Sequence, residues 1–188
     1  MKIDVPPVLD QPGLQLRQLN VRDAAAWYAY LALPEATAQT SWNPRSVVEL
    51  ERLIDGVLAP LPAAPIRFAI VDDADGLLGT IGFHTLSPAN RSAEIAYDVA
   101  PRHWGRGIAT AACRAVTAWG HDHMGFCRIQ GTALATNTRS ERVLRQCGYQ
   151  FEGLLRCYRM VRGVPGDFRM FAHIAPAHAT AVAAAPGT

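Results

Sequence analysis

The sequence carries no apolar run of membrane-spanning length, no Cys-x-x-Cys pair and no marked excess of charge of either sign. Each absence removes a class of protein. A spanning helix needs about 20 consecutive apolar residues. Residues 1–13 hold one lysine, two acids and three prolines with no apolar core, so neither an anchor nor a signal peptide is expected. A formal charge of +2 argues for no nucleic-acid partner. The cysteines, Cys113, Cys127, Cys147 and Cys157, are widely spaced, and three fall inside expected regular elements. Reduced, buried thiols in a cytoplasmic protein fit that pattern, and no metal is implied.

What is present is an ordinary globular composition, 49% hydrophobic and 18% charged over 188 residues, enough for one domain with a real core. Leu14, Leu16 and Leu19 mark a first strand. Asp23 is expected to cap a helix carrying Ala26, Trp27, Tyr30 and Leu31, which Pro34 ends. Ser46 and Glu49 form a capping box for a second helix through Leu58, beyond the loop Ser41 to Arg45. Strands are expected at 66–71 and 77–86, with Gly76 taking positive φ in the turn between them. A strand at 93–99, a helix at 105–121, a strand at 128–134 and a helix at 138–146 follow. Thr138 and Glu141 read as a further capping box, Gly148 stops the helix, and strands at 149–160 and 168–174 close the order. The result is an α/β fold of the α+β type, a mixed sheet with helices on its faces. Residues 1–13 read as an extension, 14–175 as the domain, and the alanine-rich 176–188 as a flexible tail.

The turn Arg102-His103-Trp104-Gly105-Arg106-Gly107-Ile108-Ala109 lies between a strand and a helix, where free first-turn amides and the positive end of the helix dipole can hold a pyrophosphate. It is not a Walker loop, since no Gly-Lys-Ser/Thr follows, and Thr110 stands where a dinucleotide fingerprint needs glycine. The pattern Arg-x-x-Gly-x-Gly resembles the acyl-CoA loop of the GCN5-related N-acetyltransferases (GNAT). Ala93-Glu94-Ile95-Ala96-Tyr97, Asn137-Thr138-Arg139-Ser140, Val143-Leu144 and Cys147-Gly148-Tyr149 extend the likeness to the RimJ/RimL branch, which acetylates ribosomal-protein N-termini.

The resemblance implies a GNAT fold, with about seven strands and about four helices. It further implies acetyl-CoA as co-substrate, a primary amine as acceptor, and direct attack in a ternary complex. A homodimer is compatible with it. The backbone from His103 through Trp104, Gly105, Arg106, Gly107, Ile108 and Ala109 to Thr110 would hold the pyrophosphate, with the Arg106 side chain as an added contact. Val99 and Ala100 would offer a backbone amide to the thioester carbonyl. Asn137 would bind the pantetheine arm, or serve only as a helix cap. Ser140 would protonate or stabilise the leaving thiolate, with Tyr149 as an alternative donor or a packing residue.

The proton acceptor on the amine side is where the pattern departs. Arg159 and Gln130 stand at positions where related families carry glutamate, and arginine cannot accept that proton. Glu94 matches an acidic family position and is equally a structural acceptor; His84 is titratable and could face the same cleft. An α-amino group with a pKa near 8 also needs little help. Trp42, Asn43 and Arg45 match an acceptor-side loop, though Trp42 could equally pack as core. Asp167 fits a family acidic position or a turn. The acceptor is therefore a protein N-terminus or, alternatively, a small amine, polyamine, amino acid or antibiotic. A non-catalytic acyl-CoA sensor is the competing reading from another class.

Overall fold

In the computed structural model, which describes residues 3–59, 61 and 63–179, a single seven-stranded sheet runs in the order β1-β2-β3-β4-β5-β7-β6. Its strands are β1 (Leu14–Gln18), β2 (Ile66–Asp72), β3 (Leu77–Ser87), β4 (Ser92–Val99), β5 (Arg128–Leu134), β6 (Gln150–Val161) and β7 (Val164–Ile174). Neighbours are antiparallel except β4 and β5, which run parallel. That parallel pair is joined by the long helix α4 (Ile108–Asp122), since a parallel crossover cannot be made by a tight turn.

Helices cover both faces. β2 is buried along nearly its whole length and shows why: Phe68 and Ile70 enter one core with Val116 of α4 and Leu144 of α5 (Thr138–Gln146), while Ala69 and Val71 enter a second. The second core packs Trp27 and Leu31 of α1 (Ala24–Leu31) against Leu50 and Ile54 of α3 (Val47–Leu58).

Several local expectations are corrected. Asp23 does not cap α1 with its side chain. It completes a capping box one turn earlier, where Asn20 caps a 3₁₀ turn and Asp23 Oδ2 accepts from Asn20 N–H (2.8 Å). Pro34 opens the short helix α2 (Pro34–Thr37) beyond the end of α1, its fixed φ suiting a first helical position. Ser46 Oγ does accept from Glu49 N–H, but the Glu49 carboxylate turns to Arg45 N–H, so the box is only half formed. In the β2–β3 turn the positive φ falls on Asp75, not Gly76, because Asp72 Oδ1 accepts from both Ala74 and Gly76 amides and fixes the bend between them. The long helix begins at Ile108 with Gly107 as its cap, later than the glycine turn suggested. Thr138 lies inside α5 rather than capping it, and Glu141 spends its carboxylate on Arg145 and Arg169.

Burial divides the cysteines. Cys113 and Cys147 are buried, Cys127 is half-buried and Cys157 is exposed, so the expectation of buried thiols fails at Cys157, which sits at positive φ in an irregular part of β6. Residues 3–13 lie against the body: Ile3 and Leu9 touch the first core, and Trp119 Nε1 donates to Val5 O (2.9 Å). At the other end Pro176–Ala179 makes one helical turn, α6, and residues 180–188 of the expected tail lie outside the described residues. No helix among the described residues is long and apolar enough to cross a membrane.

Candidate active site

The β4–β5 ladder covers only Ser92 to Glu94 opposite Arg128 to Gln130. Beyond that point the parallel strands part, and the gap opens at the end of β4 where the glycine turn begins. Ala100 N–H donates to Leu78 O on the β3 side (2.8 Å). Successive amides of a strand face opposite edges, so Val99 N–H faces the gap. This separates two residues that the sequence left together: the Val99 amide is aimed at the gap, whereas that of Ala100 is spent on the sheet.

The turn itself is held from several sides. Trp104 Nε1 donates to Val99 O (2.7 Å), and the Arg139 guanidinium lies over the Trp104 ring at 3.8 Å. Gly105 and Gly107 have φ of +77° and +75°, a left-handed backbone that costs any other residue roughly 1–2 kcal/mol. Gln11 Nε2 reaches Arg106 O (3.4 Å) from the N-terminal segment. Arg102 and Arg106 flank His103, and its burial, then the two guanidiniums, lower its pKa from the usual imidazole value. A groove of about 490 Å³ follows the turn. It is bounded by all eight residues from His103 to Thr110, by Val99, and by Asn137, Ser140 and Arg142 across the gap; Arg102 stays outside it.

A second cavity, of about 420 Å³, lies on the other side of the gap. Its wall includes Trp42, Leu53, Val57, Phe83 and Phe168, with His84, Glu94 and Arg159. The groove and the cavity share Leu31, Ala36, Gln39 and Thr40 on one side and Tyr97, Asp98, Asn137 and Ser140 on the other, so they meet between the α1–α2 region and the start of α5. There Asn137 Oδ1 accepts from Ser140 N–H (3.1 Å), which makes Asn137 the cap, and Tyr97 OH donates to Ser140 O (3.1 Å). Ser140 thus has its backbone fixed twice, and the residue borders both spaces.

Glu94 is 5% exposed and surrounded by donors. Thr132 Oγ1 (2.8 Å) and Arg159 Nη2 (3.0 Å) donate to Oε1, and Gln130 Nε2 (3.4 Å) to Oε2. His84 Nε2 stands 3.6 Å from the same Oε1. His84 is the extra residue of a bulge, since Phe83 pairs with Ile95 and Thr85 with Glu94, and a bulge re-aims the side chain it carries. Its pKa is lowered by burial, against the opposing pull of Glu94, so the ring is neutral at neutral pH.

The structure does not bring every expected residue here. Tyr149 is 3% exposed, bonded at 2.7 Å to Thr117 Oγ1, and its pKa is raised by burial; it borders neither space. Asn43 and Arg45 are exposed and also outside both, the Arg45 backbone being tied to Tyr28 and Glu49. Of Trp42, Asn43 and Arg45 only Trp42 reaches the cavity, and its ring also packs at a tilt against Trp27 with centroids 5.3 Å apart, so wall and packing roles coincide. Asp167 is structural: its Oδ1 accepts from Cys157 N–H (2.8 Å) in the irregular stretch of β6.

Against known families, residues 14–150 match the acetyltransferase (GNAT) domain. The chain belongs to the GNAT acetyltransferase family. The enzyme is 33% identical over 173 residues to the uncharacterized N-acetyltransferase YoaA of Bacillus subtilis, covering 90% of this chain and 98% of that one. Its fold matches RimL, the ribosomal L7/L12 α-N-protein acetyltransferase solved with coenzyme A, at TM-score 0.82 and 20% identity, over 92% of this chain and 99% of that one. It matches the Vibrio cholerae spermidine N-acetyltransferase, solved with CoA and spermine, at TM-score 0.78 and 21% identity, over 87% and 96%. One fold therefore carries two very different acceptors, and at these identities the likeness is of fold alone.

Four residues of this acetyltransferase's site escaped the sequence. Tyr97 borders both spaces, and strand alternation from Ile95 could have placed it on that face. Arg139 and Arg142, on the first turns of α5, enter the groove; their spacing from Ser140 was the available signal. Asp98 gathers Trp27 Nε1 (3.0 Å), Tyr30 OH, Thr80 Oγ1 (2.8 Å) and Arg67 Nη2 from three other elements, which no local pattern announces.

Proposed function

We propose that the chain transfers the acetyl group of acetyl-CoA directly to a primary amine, with both substrates bound at once, and that the α-amino group of a protein is the foremost acceptor. The observation that carries this is the meeting of groove and cavity at Ser140. The first-turn amides of α4 and the Arg106 side chain hold the pyrophosphate. The pantetheine arm follows the gap past Asn137, and Val99 N–H polarises the thioester carbonyl. The amine arrives from the cavity side and its lone pair forms the C–N bond. The C–S bond breaks with its electron pair on sulfur, and Ser140 Oγ–H protonates the thiolate, the serine recovering its proton from solvent as the imidazolium on the acceptor side releases one.

The amine loses one proton. Glu94 already receives three donors, so in this reading it positions the neighbouring His84, and the neutral ring takes the proton on Nε2, since Nδ1 is buried. The resulting imidazolium stands beside the Glu94 carboxylate, which stabilises it. Proximity in one slot supplies much of the remaining rate. The cytoplasm is the compartment we assign, as it suits four free cysteines.

Thiol release from acetyl-CoA, measured over a panel of N-terminal peptides and small amines beside calorimetric acetyl-CoA binding, tests the proposal. Amine-dependent release is expected. Tight binding with no release from any amine would make the chain a sensor and overturn it.

A further inference from the structure

The fold leaves the acceptor open, so its chemistry has to be read from the cavity wall. Resting on the acetyltransferase reading above, we infer that the acceptor is a primary amine carried on an uncharged, apolar body, and that polyamines are excluded. Leu31, Trp42, Leu53, Val57, Phe83 and Phe168 give the cavity its apolar surface. At about 420 Å³ it falls within the roughly 300–1,000 Å³ that small-ligand pockets occupy.

Charge decides the rest. The carboxylates in this wall are Glu94 and Asp98, and each is compensated. Arg159 pairs with Glu94, which also holds Thr132 and Gln130; Arg67 pairs with Asp98, which also holds Trp27, Tyr30 and Thr80. Two arginines balance two acids. A polyamine would bring one or two further ammonium groups into this space, where they would meet no free carboxylate, and burying an unpaired charge is costly. Glu35, which is exposed on α2, borders the pyrophosphate groove rather than this cavity. An apolar body loses nothing on entering and covers the aromatic wall, while its single amine reaches the Ser140 end.

The test is steady-state thiol release at saturating acetyl-CoA. The acceptors are 2-phenylethylamine, a peptide with N-terminal phenylalanine, the same peptide with N-terminal aspartate, and spermidine. At least one apolar acceptor is expected to exceed spermidine in kcat/KM by about tenfold or more. Preference for the peptide or the free amine identifies the source of the same chemistry. Trp42→Ala should raise KM for the apolar acceptor several-fold with the acetyl-CoA KM unchanged, and Val57→Asp should narrow the gap to spermidine. Spermidine equal to or better than the apolar acceptors, or Trp42→Ala without effect on their KM, would overturn the inference while leaving the acetyltransferase reading intact. No release with any acceptor, despite acetyl-CoA binding, would overturn both.

Discussion

The groove along the glycine turn and the cavity beside it meet at a shared wall that includes Ser140 and are built by opposite means. The groove is made of consecutive backbone: eight residues in a row, two of them glycines at positive φ, running into the first turn of one helix. The cavity is made of residues drawn from α1, α2, α3, α5 and six strands, and its polar character depends on which arginine meets which carboxylate. A backbone site tolerates change in the side chains around it and fixes one ligand chemistry. A side-chain site is free to vary, which is how one fold serves both a protein acetyltransferase and a spermidine acetyltransferase.

The comparison breaks most sharply at Gly107. Gly107→Glu should weaken acetyl-CoA binding by about 100-fold, because a left-handed side chain costs roughly 1–2 kcal/mol and its carboxylate then repels the phosphates. Calorimetry reads this directly, and an affinity within a few-fold of wild type would show that the turn is not the phosphate site. At the junction, Ser140→Ala should lower kcat by about 100-fold with acetyl-CoA affinity retained, the size expected of a lost proton donor. If affinity fell and kcat held, Ser140 would belong to the groove alone.

On the cavity side, His84→Gln should cost about 100-fold in kcat/KM at neutral pH, the low end for a positioned base. Its signature is the pH profile. Since the His84 pKa is lowered, the wild-type ring stays neutral until the pH falls below the ordinary imidazole range, and kcat/KM should drop there as the ring charges. The variant should keep only the fall set by the amine's own protonation and lose the further step due to His84, and a profile identical in shape to wild type would remove His84 from the reaction. The smallest effect is expected at Tyr149→Phe. Losing the bond to Thr117 should cost about 1 kcal/mol of stability in denaturant unfolding with thiol release unchanged.

The same division sets what was legible in the sequence. β5 and α5 lie at 128–134 and 138–146 as the apolar period and the cap signals indicate, and the groove followed because its residues are contiguous. The cavity was legible only as separate candidates. His84 reaches Glu94 through a bulge, and a one-residue insertion in pairing cannot be seen without the partner strand. Arg159, the misfit in the family pattern, turns out to be the counter-charge of Glu94 across β7 and β5. Tyr149 misled because a tyrosine after a helix stop has the right neighbours in sequence, whereas its side chain is buried against Thr117 of α4.

The most direct test of the central claim, that both substrates occupy one continuous space meeting at Ser140, is the initial-velocity pattern of thiol release with acetyl-CoA and an accepted amine varied together. Intersecting double-reciprocal lines, with the acetyl-CoA constant raised about 100-fold in Gly107→Glu, are the predicted result. Parallel lines, the mark of an acyl-enzyme formed before the amine binds, would contradict it.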